Sequence, residues 1–286
     1  MIDLHLHSSA SDGLLNPAEL VSYAKSRGIT VCALTDHDTM DGVAEAMSQA
    51  EKEGVTCLAG IELSCSVAGK SLHLLGYFRD AAPAVMAERL VEIQQWRAER
   101  NPKMVAKLQM LGINITMDDV REEANGGILG RPHIARVMVK RSIVKTPDEA
   151  FDKYLGYGKP AYVEKKRLSL EDAVALVHRS GGAAILAHPL VYHFMKPTLL
   201  SWILQAARDA GADGAEAFYP EHKTAHRRRI IHKCEELGLL VTGGSDFHGP
   251  RHGMLQPGIG TGDLLVPAER VEPLLQCIER RQKAIA

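Results

Sequence analysis

The chain opens on an alternating pattern. Residues 1–6 switch between apolar and polar side chains, the period of a strand. Asn16-Pro17 followed by Glu19 then reads as a helix cap, a proline in the first helical turn and a capping acid. The helix it starts runs to about Arg27, and Gly28 ends it. Residues 29–35 (ITVCALT) form an apolar run of strand length, and 41–53 is helical up to Gly54. Two further strands are expected over 55–64 and 71–78. From about 83 to 155 the rhythm changes: Leu90, Ile93, Met104, Val105, Leu108 and Leu111 recur at helical spacing with no strand between them. Asn101-Pro102 marks a kink there or the start of a second helix. More helices are expected near 117–124, 132–140 and 147–154, so residues 81–159 read as an all-helical insertion. Alternation of strand and helix resumes near 160. Ser169 starts a helix to 179, with Leu170, Ala173, Val174 and Val177 on one face. Strands follow at 183–187, 213–218 and 239–243, with helices at 199–209, 223–237 and 268–283. Repeated βα units predict an α/β fold, a parallel sheet or barrel built from 1–80 and 160–286.

Length agrees with that picture, since 286 residues suit one barrel carrying an inserted subdomain. Composition narrows the function classes. Hydrophobic residues at 45% and charged residues at 24% are globular proportions. Aromatic residues are only 5%, which argues against a stacking platform for long single strands. A net charge of −1 provides no global field for nucleic acid or an anionic membrane, so any phosphate recognition must be local. The opening MIDLHLHSSASDG lacks a basic region followed by an apolar run, and no stretch of about 18 apolar residues exists. Five scattered cysteines without C-x-x-C spacing fit reduced thiols. A cytoplasmic protein with no membrane contact is expected, and no protein partner is inferred.

The histidines carry the chemistry. His5 and His7 are two apart on a strand and face the same way. Asp12 follows in SSASDG, His37 stands in TDHD just past the next strand, and Glu62 lies late in a strand within GIELS. His73 is in the following strand, His188 in LAHP after another, and Asp246 and His248 in GGSDFHG after the last. Singly, several have plainer readings: Asp12 as a turn residue, Asp36-His37-Asp38 as a helix cap, His188-Pro189 as a strand-ending turn. Glu62 and His73 resist such readings, because each interrupts an apolar strand. In a β/α barrel these positions converge on one mouth, where nine unpaired imidazoles and carboxylates would be costly without metal. The nitrogen and oxygen donor set favours Mn²⁺, with Zn²⁺ or Fe²⁺ as alternatives, over a thiolate site or an all-oxygen Ca²⁺ cage. Nine ligands exceed one coordination sphere, so two or three divalent ions are expected, bridged by a carboxylate such as Glu62.

HLHSSASDG, LTDHD, GIELS, the strand His73, LAHP and GSDFH together resemble the successive motifs of the polymerase-and-histidinol-phosphatase (PHP) family. The resemblance covers about 1–78 and 160–286. It implies a distorted seven-stranded β/α barrel with a two- or three-metal site at its mouth. It further implies that His5, His7, Glu62 and Asp246 hold one ion, Asp12, His37 and His248 a second, and Glu62, His73 and His188 a third. GRPHIARVMV (130–139) and EAFYPEHK (216–223) resemble small bacterial PHP phosphoesterases that act on nucleoside 3′,5′-bisphosphates, some of which trim short oligonucleotides from the 5′ end. The expectation is therefore hydrolysis of a nucleotide's 3′-phosphate by metal-activated water, with Asp246 and His248 as catalytic candidates. Arg131 offers a planar fork for phosphate oxygens, and Pro132 at a helix start leaves backbone N–H groups to meet an anion. Arg131 and His133 would clamp the 5′-phosphate, with His222 as a weaker substrate contact and His193 a weaker candidate still. Arg227, Arg228 and Arg229 read as a solvated helix face. The alternatives are a 5′-3′ exonuclease on short 5′-phosphorylated oligonucleotides, a histidinol-phosphate-type monoesterase, a C–N hydrolase of the amidohydrolase type, which would need a lysine ligand, and a metal-stabilised scaffold.

Overall fold

A computed structural model describes residues 1–79, 81, 83–192, 196–250 and 255–285. Strand β1 (Ile2–Leu6) leads into helix α1 (Pro17–Ser26), whose Asn16 side chain accepts the Glu19 N–H while Glu19 returns the bond to the Asn16 N–H. That reciprocal cap is the one the sequence spells out. Strand β2 (Val31–Leu34), helix α2 (Val43–Glu53) and strand β3 (Thr56–Val67) complete two βα units, and β1, β2 and β3 pair in parallel.

The next strand departs from the expected parallel pattern. β4 (Lys70–Phe78) folds back on β3 as an antiparallel hairpin with nine residue pairs. The turn is only Ala68-Gly69, both at positive φ, which is the geometry a two-residue hairpin needs. A parallel return would require a crossover of a dozen residues, and the sequence has two. β4 also pairs antiparallel with the strand beyond it, β6 (Ala183–Leu186). β7 (Gly214–Phe218) and β8 (Leu240–Gly243) continue in parallel, and a two-residue β5 (Leu168–Ser169), not anticipated from the pattern, adds to β3. The main path is thus seven strands, β1-β2-β3-β4-β6-β7-β8. The sheet curls until its ends meet: the Asp246 N–H donates to the His5 carbonyl at 2.9 Å and the His7 N–H to the Phe247 carbonyl at 3.0 Å. A Cβ at Gly244 would collide with the His5 backbone and Cβ, so only glycine permits that approach.

Helices α7 (Leu170–Arg179), α8 (Leu200–Asp209), α9 (Thr224–Leu237) and α10 (Val271–Lys283) complete the barrel half of the chain. Between β4 and β5 lie α3 (Ala84–Met110), α4 (Met117–Ala124), α5 (Arg131–Lys140) and α6 (Pro147–Ala150), the last continued by a π-helical turn over Phe151–Leu155. Asn101-Pro102 neither ends nor restarts a helix, because α3 runs through it for 27 residues. The Asn101 side chain instead donates to the Leu129 carbonyl, tying α3 to the loop before α5. Met86, Leu90 and Ile93 of α3 pack into the barrel core, whereas Met104, Val105 and Leu108 join a second apolar cluster with Ile115, Val120, Ile134 and Met138. Among the described residues no helix is long and apolar enough to cross a membrane.

Candidate metal centre

The nine residues singled out in the sequence meet at one mouth of the barrel. Parallel strands deliver side chains at or beyond their C-terminal ends: His5 and His7 from β1, His37 past β2, His188 past β6, Asp246 and His248 past β8. Because β4 is antiparallel, its beginning lies at that same end, which brings His73 in opposite Ser64 of β3. Two of these residues hold backbones that L-residues rarely adopt, His188 at φ 23° and Asp246 at φ 54°. Such strain concentrates at sites whose geometry the surroundings enforce.

Glu62 is the hub. Its Oε1 lies 2.8 Å from His73 Nδ1 and 2.9 Å from His188 Nε2, and its Oε2 lies 2.8 Å from His37 Nδ1, 3.4 Å from His7 Nε2 and 3.6 Å from His5 Nε2. Asp246 Oδ1 is 3.0 Å from His7 Nε2 and 3.4 Å from His5 Nε2. Asp12 stands 3.2 Å from His248 Nε2 and 3.9 Å from His37 Nε2. Three groups have donor atoms that all fall within 4.8 Å of one another: His5, His7, Glu62 and Asp246; His7, Asp12, His37 and His248; and His37, Glu62 and His73. The first matches the expected set. In the third, His37 takes the place expected of His188, whose Nε2 meets Glu62 while its ring packs against those of His5 and His73.

The cluster is chemically incomplete as a set of protein groups. His5 Nε2, His7 Nε2, His37 Nδ1, His73 Nδ1, Glu62 Oε2 and Asp246 Oδ1 are buried and none makes a well-directed hydrogen bond. Buried polar atoms are rarely left so. Burial, aided by the nearby His248, lowers the His7 imidazole to about 3, and burial lowers His73 to about 4 against the pull of Glu62. Both are then neutral, the form that ligates metal. Burial would raise the Glu62 carboxyl, but His37, His73 and His5 hold it well below its ordinary value. Burial also opposes charging of His248, which Asp12 and Asp246 nonetheless raise to about 9. Burial likewise opposes charging of His5, His37 and His188, but the neighbouring carboxylates raise all three. Ionised carboxylates packed against imidazoles, with inward-facing orphan atoms, fit divalent cations.

Supporting residues emerge that the sequence reading passed over. Glu216 of β7 is fully buried; its carboxylate meets His5 Nδ1 at 3.2 and 3.3 Å and accepts the His188 N–H at 3.0 Å. The signal was present, since Glu216 interrupts GAEAF just as Glu62 interrupts its strand. The Tyr219 hydroxyl donates to Asp246 Oδ2 at 2.8 Å. Asp36 accepts bonds from the Ser8 N–H, the Ser8 hydroxyl and the Ser11 hydroxyl, fixing the turn that carries Asp12.

Next to the cluster lies a cationic chamber of about 120 Å³. Asp12, His37 and His73 form one wall; Arg97, Arg100, Arg131, Lys165 and Arg167 form much of the rest. Arg97 and Lys165 both bind Asp38, and Lys165 also reaches Ser64, so this lysine is engaged away from the ligand cluster. Arg167 pairs with Glu164. Arg131 contacts the Leu155 carbonyl and lies over the Phe151 ring, and Arg100 donates to the Val163 carbonyl. Neither has a carboxylate partner among the described residues, and Arg100 Nη2 is buried without a hydrogen bond. Burial and the neighbouring Arg131 charge depress Arg100 to about 9. His133 does not line the chamber. It is buried, and its Nδ1 accepts the Gly130 N–H at the start of α5. His222 is buried behind the mouth, its Nδ1 on the Ala217 carbonyl and its ring beside Tyr219. His193 falls outside the described residues.

Comparison with known proteins agrees with this architecture. The family model described as the PHP domain matches residues 3–178. A 3′,5′-nucleoside bisphosphate phosphatase of Chromobacterium violaceum is 38% identical over 253 residues, 88% of this chain and 88% of that protein. A 5′-3′ exoribonuclease of Haemophilus influenzae is 35% identical over 251 residues, 87% of this chain and 90% of that protein. The solved structure of an amidohydrolase from Chromobacterium violaceum, with bound sulfate and no metal, matches with a TM-score of 0.85 at 35% identity, over 98% of this chain and 96% of that one. The chain belongs to the PHP family, and it is a phosphoesterase.

Proposed function

We propose that this chain removes the 3′-phosphate of nucleoside 3′,5′-bisphosphates, giving a nucleoside 5′-monophosphate and phosphate. The observation that carries the reading is a pair of guanidiniums, Arg100 and Arg131, on the wall of a chamber opening onto the ligand cluster, with no carboxylate partner among the described residues. Two positive charges, Arg100 buried and Arg131 half-buried, without a carboxylate partner among the described residues call for an anion. A simple monoester whose phosphate sits at the cluster would leave them unmet; a second phosphate on the same molecule satisfies them. Arg131 presents the fork, Arg100 adds its unpaired Nη2, and Asp38 holds Arg97 and Lys165 in place beside them. The helical insertion over 81–159 supplies Arg97, Arg100 and Arg131, so it acts as a cover that reads the 5′ end.

The proposed metal ligands are His5, His7, Asp12, His37, Glu62, His73, His188, Asp246 and His248, holding two or three ions, with manganese as the first candidate. Bound divalent ions would contribute Lewis acidity towards the phosphoryl oxygens and a nucleophile from water at neutral pH. The P–O3′ bond breaks, the oxygen of water stays on phosphorus, and a proton must reach the departing 3′-oxygen. Tyr219 and Glu216 contribute by fixing Asp246, His5 and His188. His133 acts on this reading through the Gly130–Arg131 helix start that it caps.

The test is phosphate release by manganese-loaded protein from adenosine 3′,5′-bisphosphate and from adenosine 3′-monophosphate. The bisphosphate should be preferred, and Arg131→Ala should cost it about 10- to 100-fold in kcat/KM, the scale of a charge-assisted bidentate contact. Equal kcat/KM for the two substrates in the unaltered protein would sink the clamp. A second reading, release of nucleoside 5′-monophosphates from short 5′-phosphorylated oligonucleotides, needs the same clamp and is favoured by the similarity to the exoribonuclease. A 5′-phosphorylated dinucleotide in the same assay tests it.

A further inference from the structure

A second cavity opens from the cationic chamber. It has a volume of about 510 Å³ and shares Ser71, His73, Arg131, Phe151 and Arg167 with its neighbour. Its character differs. Phe151, Tyr157, Tyr162 and Tyr192 all line it, although aromatic residues are only 5% of the chain. Tyr157 and Tyr162 meet edge to face with centroids 5.4 Å apart, and Tyr157 remains 67% exposed. Tyr192 backs onto the metal centre, its hydroxyl accepting the His73 N–H and donating to the Ala187 carbonyl. The Arg131 guanidinium lies 5.4 Å from the centre of the Phe151 ring, at the boundary between the two cavities.

A scarce residue type gathered on one wall, beside a chamber rich in arginine, matches a ligand that is charged at one end and flat at the other. Aromatic side chains offer stacking faces to any base. Glu164, Asp152, Lys70 and Lys159 around the same groove offer acceptors and donors to a heterocycle's edge. A sugar phosphate without a base would leave this wall to water.

We propose that the groove is the nucleobase site: the base of the substrate stacks on the wall of Phe151, Tyr157 and Tyr162, while its phosphates occupy the cationic chamber and the metal centre. This rests on the nucleotide reading above. It places base selection in the π-helical turn and the loop that follows it, against the arginine clamp.

The experiment is calorimetric binding of adenosine 5′-monophosphate and of ribose 5-phosphate to the manganese-loaded full chain. The two ligands share the phosphate and the sugar, so their ratio isolates the base. The unaltered protein should bind the nucleotide about 5- to 100-fold more tightly, the range of one stacked base. Tyr162→Leu combined with Tyr157→Ala should abolish most of that preference; because Arg100 lies 5.7 Å from the centre of the Tyr162 ring, the effect on the base is read as the ratio of the two affinities rather than from either alone. Tyr157→Ala alone, at an exposed side chain, should reduce the preference in part and covers the case in which the double variant does not fold. Equal affinities in the unaltered protein, or a preference that survives Tyr157→Ala undiminished, would overturn the base site. Phosphate release from the bisphosphate is measured separately, so a failure of the phosphatase reading and a failure of the base site give different results.

Discussion

At the scale of single residues, the most consequential group outside the ligand pattern is Glu216. It donates nothing to the cluster directly. It meets His5 Nδ1 and takes the His188 N–H, so the His5 ring presents Nε2 towards Glu62 and Asp246. A carboxylate behind an imidazole fixes its tautomer and raises its basicity, and loss of such a partner typically costs metal affinity about 10- to 100-fold. Glu216→Gln, nearly the same size, should weaken metal binding by that factor in a metal titration, with little change in secondary structure by circular dichroism. Unchanged affinity would mean that His5 is positioned by packing alone. His5 and His7 were legible from alternation and Glu62 from its place in an apolar strand. The same reasoning applied to GAEAF would have found Glu216. No such signal marked Arg97 and Arg100, which in a list of letters look like any solvated helix face.

At the scale of elements, Asp213 shows how the far end of the barrel is fastened. It precedes β7, accepts the Ala184 N–H of β6, and pairs with His178 of α7 and Arg281 of α10. Burial alone would raise its carboxyl; the His178 bond, the Ala184 N–H and Arg281 outweigh that and bring it from about 3.8 down to about 2. The folded value lies below the unfolded one, so the carboxylate stabilises the fold above about pH 4. That stabilisation fades as pH falls through about 2. Its size is about 2 kcal/mol. Asp213→Asn should lose about this much in urea unfolding at pH 7, and the gap between variant and parent should close by about pH 2. A gap that is constant over that range would argue that the contacts are steric rather than ionic. The β3–β4 hairpin was less legible. Its two strands were found, but their antiparallel sense depends on a two-residue turn between them, which the repeating βα rhythm on either side obscured.

For the whole molecule, the mouth gathers carboxylates and imidazoles whose buried donor atoms lack hydrogen-bond partners. A group of that kind destabilises the apo fold and is relieved when cations bind. Ligands that bind only the folded state stabilise it by about 2.7 kcal/mol at a hundred times Kd, which for a chain of this size is about 4–5 °C in Tm. Chelation should therefore lower Tm by roughly that amount, and manganese should restore it. A Tm indifferent to chelator would contradict the metal-centre reading.

The sequence by itself determined the order of strands and helices apart from the short β5, the caps, the helical nature of 81–159 and the identity of the nine candidate ligands. Each of these depends on residues that are neighbours along the chain, or on a period that a strand or helix imposes on them. Tertiary structure decided the rest, because the deciding quantity was distance between segments far apart in sequence. It brought the start of β4 to the same end as the finish of its parallel neighbours. It gave Arg97 and Lys165 a carboxylate in Asp38 while leaving Arg100 and Arg131 without one among the described residues. It turned His133 inward to cap a helix. It also collected a few scattered aromatic residues into one wall, which composition, as an average over the whole chain, could not reveal.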